Sequence, residues 1–132
     1  MEANTHLEAN SALIGVAVEL AEGRASASLD TIDSMVVDER GLVHGGFVFG
    51  LADYAAMLAV NDPNVVLGAA TTRFLKPVAV GSRVVAQARV VERDGRKRQV
   101  EVEARVDSTQ VFEGTFVCFV LEHHVLDTTR SK

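Results

Sequence analysis

Val43-His44-Gly45-Gly46-Phe47-Val48-Phe49-Gly50-Leu51-Ala52-Asp53-Tyr54-Ala55-Ala56-Met57-Leu58-Ala59-Val60-Asn61 is the stretch on which the fold turns. It contains no proline, is rich in Ala, Leu and Met, and runs into the stop signal Asn61-Asp62-Pro63-Asn64, so it predicts a helix over residues 45–61. Asp53 is the only charged side chain between Phe47 and Val60. A helix apolar on nearly every side has to be covered on most of its faces.

What covers it is read outward from its two ends. Downstream, residues 65–76 read as a strand, 77–81 as a turn and 83–92 as a second strand. Arg93-Asp94-Gly95-Arg96 carries an Asp-Gly hairpin signal. Residues 97–108 then alternate cleanly, with Val100, Val102, Ala104 and Val106 on one side and Gln99, Glu101, Glu103, Arg105 and Asp107 on the other, so one side of that strand is wet. Residues 111–123 are apolar on both alternating sets, which predicts a central strand covered on both faces. Upstream, residues 14–22 and 25–32 read as a hairpin turning at Gly23, 34–42 as a loop and 4–13 as a short helix. The sum is one α+β domain over residues 1–132, with 1–12 an N-terminal extension or short helix and 127–132 a polar tail. About six strands have one long helix to bury, so the sheet must wrap around it.

Composition narrows the partners. A net charge of −5 works against a polyphosphate backbone, and a chain with no Trp and one Tyr has few platforms for stacking bases, so DNA and RNA are poor candidates. No apolar run approaches the roughly 20 residues that cross a bilayer, and the start Met1-Glu2-Ala3-Asn4 lacks a secretory pattern, so the expectation is a soluble cytoplasmic protein without membrane contact. Cys118 is the only cysteine and lies in Phe116-Val117-Cys118-Phe119-Val120, which predicts a buried thiol and no intrachain disulfide. His123 and His124 are neighbours on a strand and point to opposite faces, His6 sits in the terminus, and no His, Asp or Glu spacing forms a metal site; none is expected.

The chemistry concentrates at the helix. Gly45 and Gly46 open it, where unpaired backbone N–H groups and the positive dipole end favour an anion or a developing oxyanion; they also read as a tight entry turn. Asp53 sits mid-helix, where an unpartnered carboxylate costs several kcal/mol. It reads as a general base or nucleophile, or as a structural carboxylate satisfied by nearby backbone or by an arginine such as Arg73. His44 is an alternative base, though a bracing role beside the glycines is favoured. Gly46 and Asp53 are seven residues apart, which puts them on one face but about 10 Å apart along the axis. Two antiparallel helices related by a two-fold axis would bring Gly46 of one copy to Asp53 of the other, with Gly46, Gly50, Asp53 and Met57 forming the shared face. Arg73 and Lys76 are the cations placed to hold phosphates, or else solvated strand charges.

His44-Gly45-Gly46-Phe47-Val48-Phe49-Gly50-Leu51-Ala52-Asp53 resembles the signature of hotdog-fold thioesterases of the phenylacetate-degradation type, and Arg73-Phe74-Leu75-Lys76-Pro77-Val78-Ala79-Val80-Gly81 resembles the strand and turn that follow it in that family. The likeness runs over residues 14–125. It implies a curved antiparallel sheet around one helix, homodimers that form a continuous sheet and in many members pair into tetramers, and acyl-CoA hydrolysis. The amide of Gly46 would polarise the thioester carbonyl, and Asp53 from the partner would act as base or nucleophile. Beside these two, the reading of the residues themselves adds His44 as a further catalytic candidate and Gly45, Asp38, Phe47, Met57, Arg73 and Lys76 as the substrate-binding surroundings, and no cofactor is expected beyond the CoA of the ligand. Asp38 departs from the family, whose members commonly carry asparagine six residues before the His-Gly-Gly. That acid opens an alternative, a regulatory protein that binds acyl-CoA or an acyl carrier protein without turning it over. A dehydratase of the same fold, using a His and a carboxylate, is the third reading.

Overall fold

Alternation becomes sheet in the computed structural model, which describes residues 1–130, with side chains described through Asp127. The strands are β1 (Val16–Ala21), β2 (Arg24–Asp30), β3 (Val65–Phe74), β4 (Arg83–Asp94), β5 (Lys97–Val106) and β6 (Thr109–Val120), and the helices are α1 (Ser11–Ile14) and α2 (Gly45–Val60). All six strands form one antiparallel sheet in the order β1-β2-β4-β5-β6-β3. α2 lies between β2 and β3 in the chain, so β2 pairs with β4 and β3 is carried to the far edge. α2 packs against every strand, and only a curved sheet can present six strands to one helix.

Alanine sets how closely they approach. Ala27, Ala86 and Ala104 face the helix from three neighbouring strands, and Ala52, Ala55 and Ala59 face back; each is at most 1% exposed. Small side chains on both surfaces bring the axis near the sheet without voids. Larger groups, Phe112 and Phe116, fill the wider end at β6, both fully buried. The outward set on β5, with Glu101 exposed and Glu103 half-buried, is the wet side that its alternation predicts.

Four expectations need correction. The helix expected over residues 4–13 shrinks to Ser11–Ile14, capped by the Asn10 side chain. Residues 2–6 instead form an ordered arm along α2: the Asn4 N–H donates to Asn61 Oδ1 at 2.7 Å, Asn61 Nδ2 donates to the Glu2 carbonyl at 2.9 Å, and Thr5 is buried. Asn61 can do this because it ends α2 in the left-handed conformation, which turns its amide away from the helix axis. Second, the β4–β5 loop is centred on Gly95-Arg96, one residue later than Asp-Gly suggests, because Asp94 still pairs with Lys97. Gly95 takes the positive φ of +59°. Third, β6 is not covered on both sides: Phe119 is 36% exposed on the face away from the helix. Fourth, the helix face reserved for a partner helix is partly occupied by this same chain, since the Ile14 side chain reaches Gly50 and Met57 is only 1% exposed. Of the tail expected from Asp127, the backbone through Arg130 is a 3-10 turn, and residues 131–132 lie outside the described residues. No helix among the described residues is long and apolar enough to cross a membrane.

Candidate functional site

Three backbone hydrogen bonds pin the entry to α2 before any side chain acts. Val43 donates to the Val78 carbonyl at 2.9 Å, His44 to the Met35 carbonyl at 2.9 Å, and Val37 to the Leu42 carbonyl at 2.9 Å. The chain therefore enters the helix at a fixed angle with His44 as N-cap. Its Nδ1 accepts the Gly46 N–H at 2.7 Å, and Phe47 stands edge-on to its ring at 6.2 Å. His44 is thus the brace of the turn, and the amide the resemblance assigns to a substrate is engaged in the free protein. The Gly45 N–H has no hydrogen-bond partner among the described residues. It is the open donor at the positive end of the helix.

A cleft of about 270 Å³ opens beside that amide, lined by Val43, Gly45, Val48, Phe74, Leu75, Lys76, Pro77, Val78 and Val111. Phe74 lies over Gly45 so closely that a Cβ there would stand 3.2 Å from its ring. Lys76 is the one cation on the wall. A Cβ on Gly46 would come 2.8 Å from His44 Nδ1. Gly46→Ala is therefore expected to push the His44 ring aside, weaken the helix start by about 1 kcal/mol, and alter ligand affinity; urea unfolding and acyl-CoA titration of the same sample measure both.

Asp53 lies two turns further on. Its carboxylate is half-buried and Oδ1 has no hydrogen-bond partner among the described residues; Arg73, the arginine considered for it, pairs instead with Glu113 at 3.4 Å on the face of the sheet away from the helix. Burial pushes the Asp53 pKa up from 3.8 to about 6. The buried Cys118 thiol is pushed up to about 12, by burial first and by the Asp53 charge second, so it is inert as a nucleophile.

An aromatic ladder joins the two halves. Phe49, one turn before Asp53, stacks on Phe116 at 5.5 Å; Phe116 meets Phe112 at 6.4 Å; Phe112 meets Phe74 at 5.2 Å, and Phe74 covers Gly45. Sequence reasoning missed this wall. Its signal was present, because Phe112 and Phe116 are an even number of residues apart on one strand and so share a face.

The structure thus gathers His44, Gly45, Gly46, Phe47 and Lys76 at the helix start and leaves three expected residues elsewhere. Arg73 faces the opposite side of the sheet. Met57 is core. Asp38 sits in the loop before the helix, where its Oδ1 accepts the Arg40 and Leu42 amides at 3.0 and 3.2 Å. A larger groove of about 1130 Å³ runs over the outer face of the sheet, but its walls are cross-strand ion pairs such as Arg89–Glu101 at 3.0 Å, which already satisfy one another. It reads as a solvated sheet surface, remote from α2.

A family model described as Thioesterase superfamily matches residues 40–113. The chain is 53% identical over 116 residues, 88% of its length, to a part of an Aquifex aeolicus protein named methylthioribose-1-phosphate isomerase, and 30% identical over 115 residues, 86% of its length, to transcription factor FapR of Caldanaerobacter subterraneus. It spans 25% of the first of these and 58% of the second. Among solved structures, a Pyrococcus horikoshii protein described as uncharacterized superposes with TM-score 0.95 at 55% identity, covering 96% of this chain and 98% of that one. A mutant of the phenylacetic acid degradation protein PaaI from Thermus thermophilus superposes with TM-score 0.76 at 30% identity, covering 84% and 96%. The resemblance read from the helix motif and the sheet wrapped around that helix have the same origin: the chain belongs to the thioesterase superfamily, on the hotdog fold.

Proposed function

We propose that the chain hydrolyses an acyl-CoA thioester at a site completed by a second copy of itself. The observation that carries this reading is Asp53, a half-buried carboxylate with a raised proton affinity and an oxygen that nothing among the described residues satisfies. A group that costs folding energy and has no structural partner is the signature of a base held ready for a proton. Water attacks the carbonyl carbon and gives its proton to Asp53. The oxyanion accepts hydrogen bonds from the helix start, the Gly45 N–H and, once the His44 ring turns aside, the Gly46 N–H. Collapse of that intermediate expels the CoA thiolate, which takes the proton back from Asp53. Lys76, exposed on the cleft wall, makes the mouth of the cleft positive.

Within one protomer the helix start and Asp53 are too far apart for one thioester, so the base comes from the partner. β3 supports this geometry: it is an edge strand of ten residues whose last side chain, Phe74, already walls the cleft. Pairing of two β3 edges would bring the two sites together across a two-fold axis. A CoA ligand also fits a cytoplasmic location.

The base works ionised, so the rate of thiol release is expected to fall about tenfold per unit as pH drops below about 6, and to level off above 7. A pH–rate profile of free-thiol release checks it; a flat profile between 4 and 7 removes Asp53 from the chemistry. A second reading, acyl-CoA binding without turnover, draws support from the engaged Gly46 amide, and its non-enzymatic part from the similarity to a protein named as a transcription factor. Saturable acyl-CoA binding with no thiol released by any member of a short, long and aromatic panel would favour it.

A further inference from the structure

We infer that the cleft beside Gly45 holds the acyl group itself and that its closed end, formed by Val48 and Val111 with Val43 and Val78 behind them, restricts the ligand to short acyl chains. This rests on the reading of the helix start as the thioester site. Either of two substituents on the carbonyl carbon could enter the cleft, the acyl chain or the pantetheine arm, and the walls decide between them.

Every side chain lining the cleft is apolar except Lys76, and Lys76 is exposed. The four valines are at most 5% exposed, so they form the closed end, while Phe74, Lys76 and Pro77 form the rim. Two carbonyls at the closed end are already paired: the Val78 carbonyl accepts from Val43, and the Val111 carbonyl accepts from Leu75 at 2.8 Å. A pantetheine arm carries two amides, and the four valine side chains offer them no partner; burying them unpaired opposes binding strongly. An alkyl chain meets no such cost.

Val111 owes its place to a β-bulge. Ala104 pairs with Phe112 and Arg105 with Gln110, which leaves Val111 as the extra residue on β6. Without the bulge Val111 would point to the wet side of the sheet, whereas here it and Phe112 are both buried. Val48 faces it from α2, one turn after Gly45, so floor and oxyanion donor are fixed on the same rigid helix.

The volume sets the limit. At about 30 Å³ per water-sized group, the 270 Å³ of this cleft, part of it open at the rim, gives room for roughly eight carbons before a chain meets the valines or emerges into solvent. A palmitoyl chain needs about twice that space.

The test measures binding with the ethyl, butyl, octyl, dodecyl and hexadecyl thioethers of CoA, which cannot be hydrolysed, and thiol release with the matching acyl-CoAs. Affinity is expected to rise about fourfold per methylene up to octyl and then stop rising or fall. Val48→Ala and Val111→Ala each lengthen the preferred chain by about two carbons, and Val48→Met shortens it, with changes of about tenfold at the ends of the series. Circular dichroism confirms that each variant is folded, and the two alanine variants report on the same floor independently. A length profile that stays put in both folded alanine variants overturns the inference. So does a loss of affinity for CoA alone in Val48→Met, because that places the pantetheine arm in the cleft. If the binding profile shifts as expected but no variant releases thiol, the acyl pocket stands and hydrolysis falls; thiol release with an unmoved profile keeps hydrolysis and ends the acyl pocket.

Discussion

Asp53→Asn is expected to lower thiol release from acyl-CoA by about 10²–10⁴-fold while changing the affinity for the matching CoA thioether by no more than about threefold. The amide keeps the shape of the carboxylate and removes only its capacity to take a proton. The same substitution should stabilise the protein, and the direction follows from the pKa. Burial raises the Asp53 pKa from 3.8 to about 6, so the folded state binds this proton more tightly than the unfolded chain does. The stability linked to it is fully present below pH 3.8 and is lost as pH rises through about 6. At pH 7 the folded protein therefore carries an ionised, unpartnered carboxylate, a penalty of about 2 kcal/mol after allowing for its partial exposure. The asparagine amide is left unpartnered too, so the net gain is expected at about 1 kcal/mol. Urea unfolding of both proteins at pH 7 and pH 4 reads it, with the difference shrinking at the lower pH. An inactive variant that gained nothing would mean that the carboxylate is better satisfied than its geometry indicates. An active variant would end the proposed mechanism.

Phe112→Ala should cost about 3–5 kcal/mol of folding stability, a large share of the roughly 5–15 kcal/mol typical of a single domain. Phe112 is fully buried and touches both Phe74 and Phe116, so its loss opens a cavity in the core beside Ala104, its cross-strand neighbour, which is too small to fill it. The ladder also transmits the damage to the site. Phe74 loses the ring that holds it over Gly45, and the cleft wall loosens. Denaturant unfolding gives the stability loss, and a drop in CoA thioether affinity at low temperature, where the variant is folded, gives the second effect. Phe74→Ala separates the two: Phe74 is 55% exposed, so its removal should cost far less stability and as much affinity.

Much of this was legible in advance because the signals are local. A proline-free apolar run with a single acid is a buried helix wherever it occurs, and strict alternation over residues 97–108 can bury one side only. Asp53 stood out because composition alone makes a mid-helix carboxylate costly. The N-terminal arm was not legible. Residues 4–13 have passable helix propensity, and nothing local announces that Asn61, far along the chain, will clamp their backbone instead. Arg73 was misassigned for a related reason: two neighbouring strand positions look equivalent in sequence, yet Phe74 faces the helix and Arg73 faces Glu113 across the sheet. Val111 needed the bulge, a property of how β5 and β6 register, which belongs to neither strand alone.

By itself, then, the sequence determined the elements, the wrapping of sheet around helix and the suspicion attached to the His-Gly-Gly start and Asp53, because periodicity and burial cost act within one segment. Only the tertiary structure decided which donor is open, Gly45 with Gly46 held by His44, that Asp53 Oδ1 has no partner among the described residues, and that Phe74, backed by Phe112, and a bulged valine wall the cleft. Those facts depend on which side chains meet across elements, and the meeting is fixed by strand order and register.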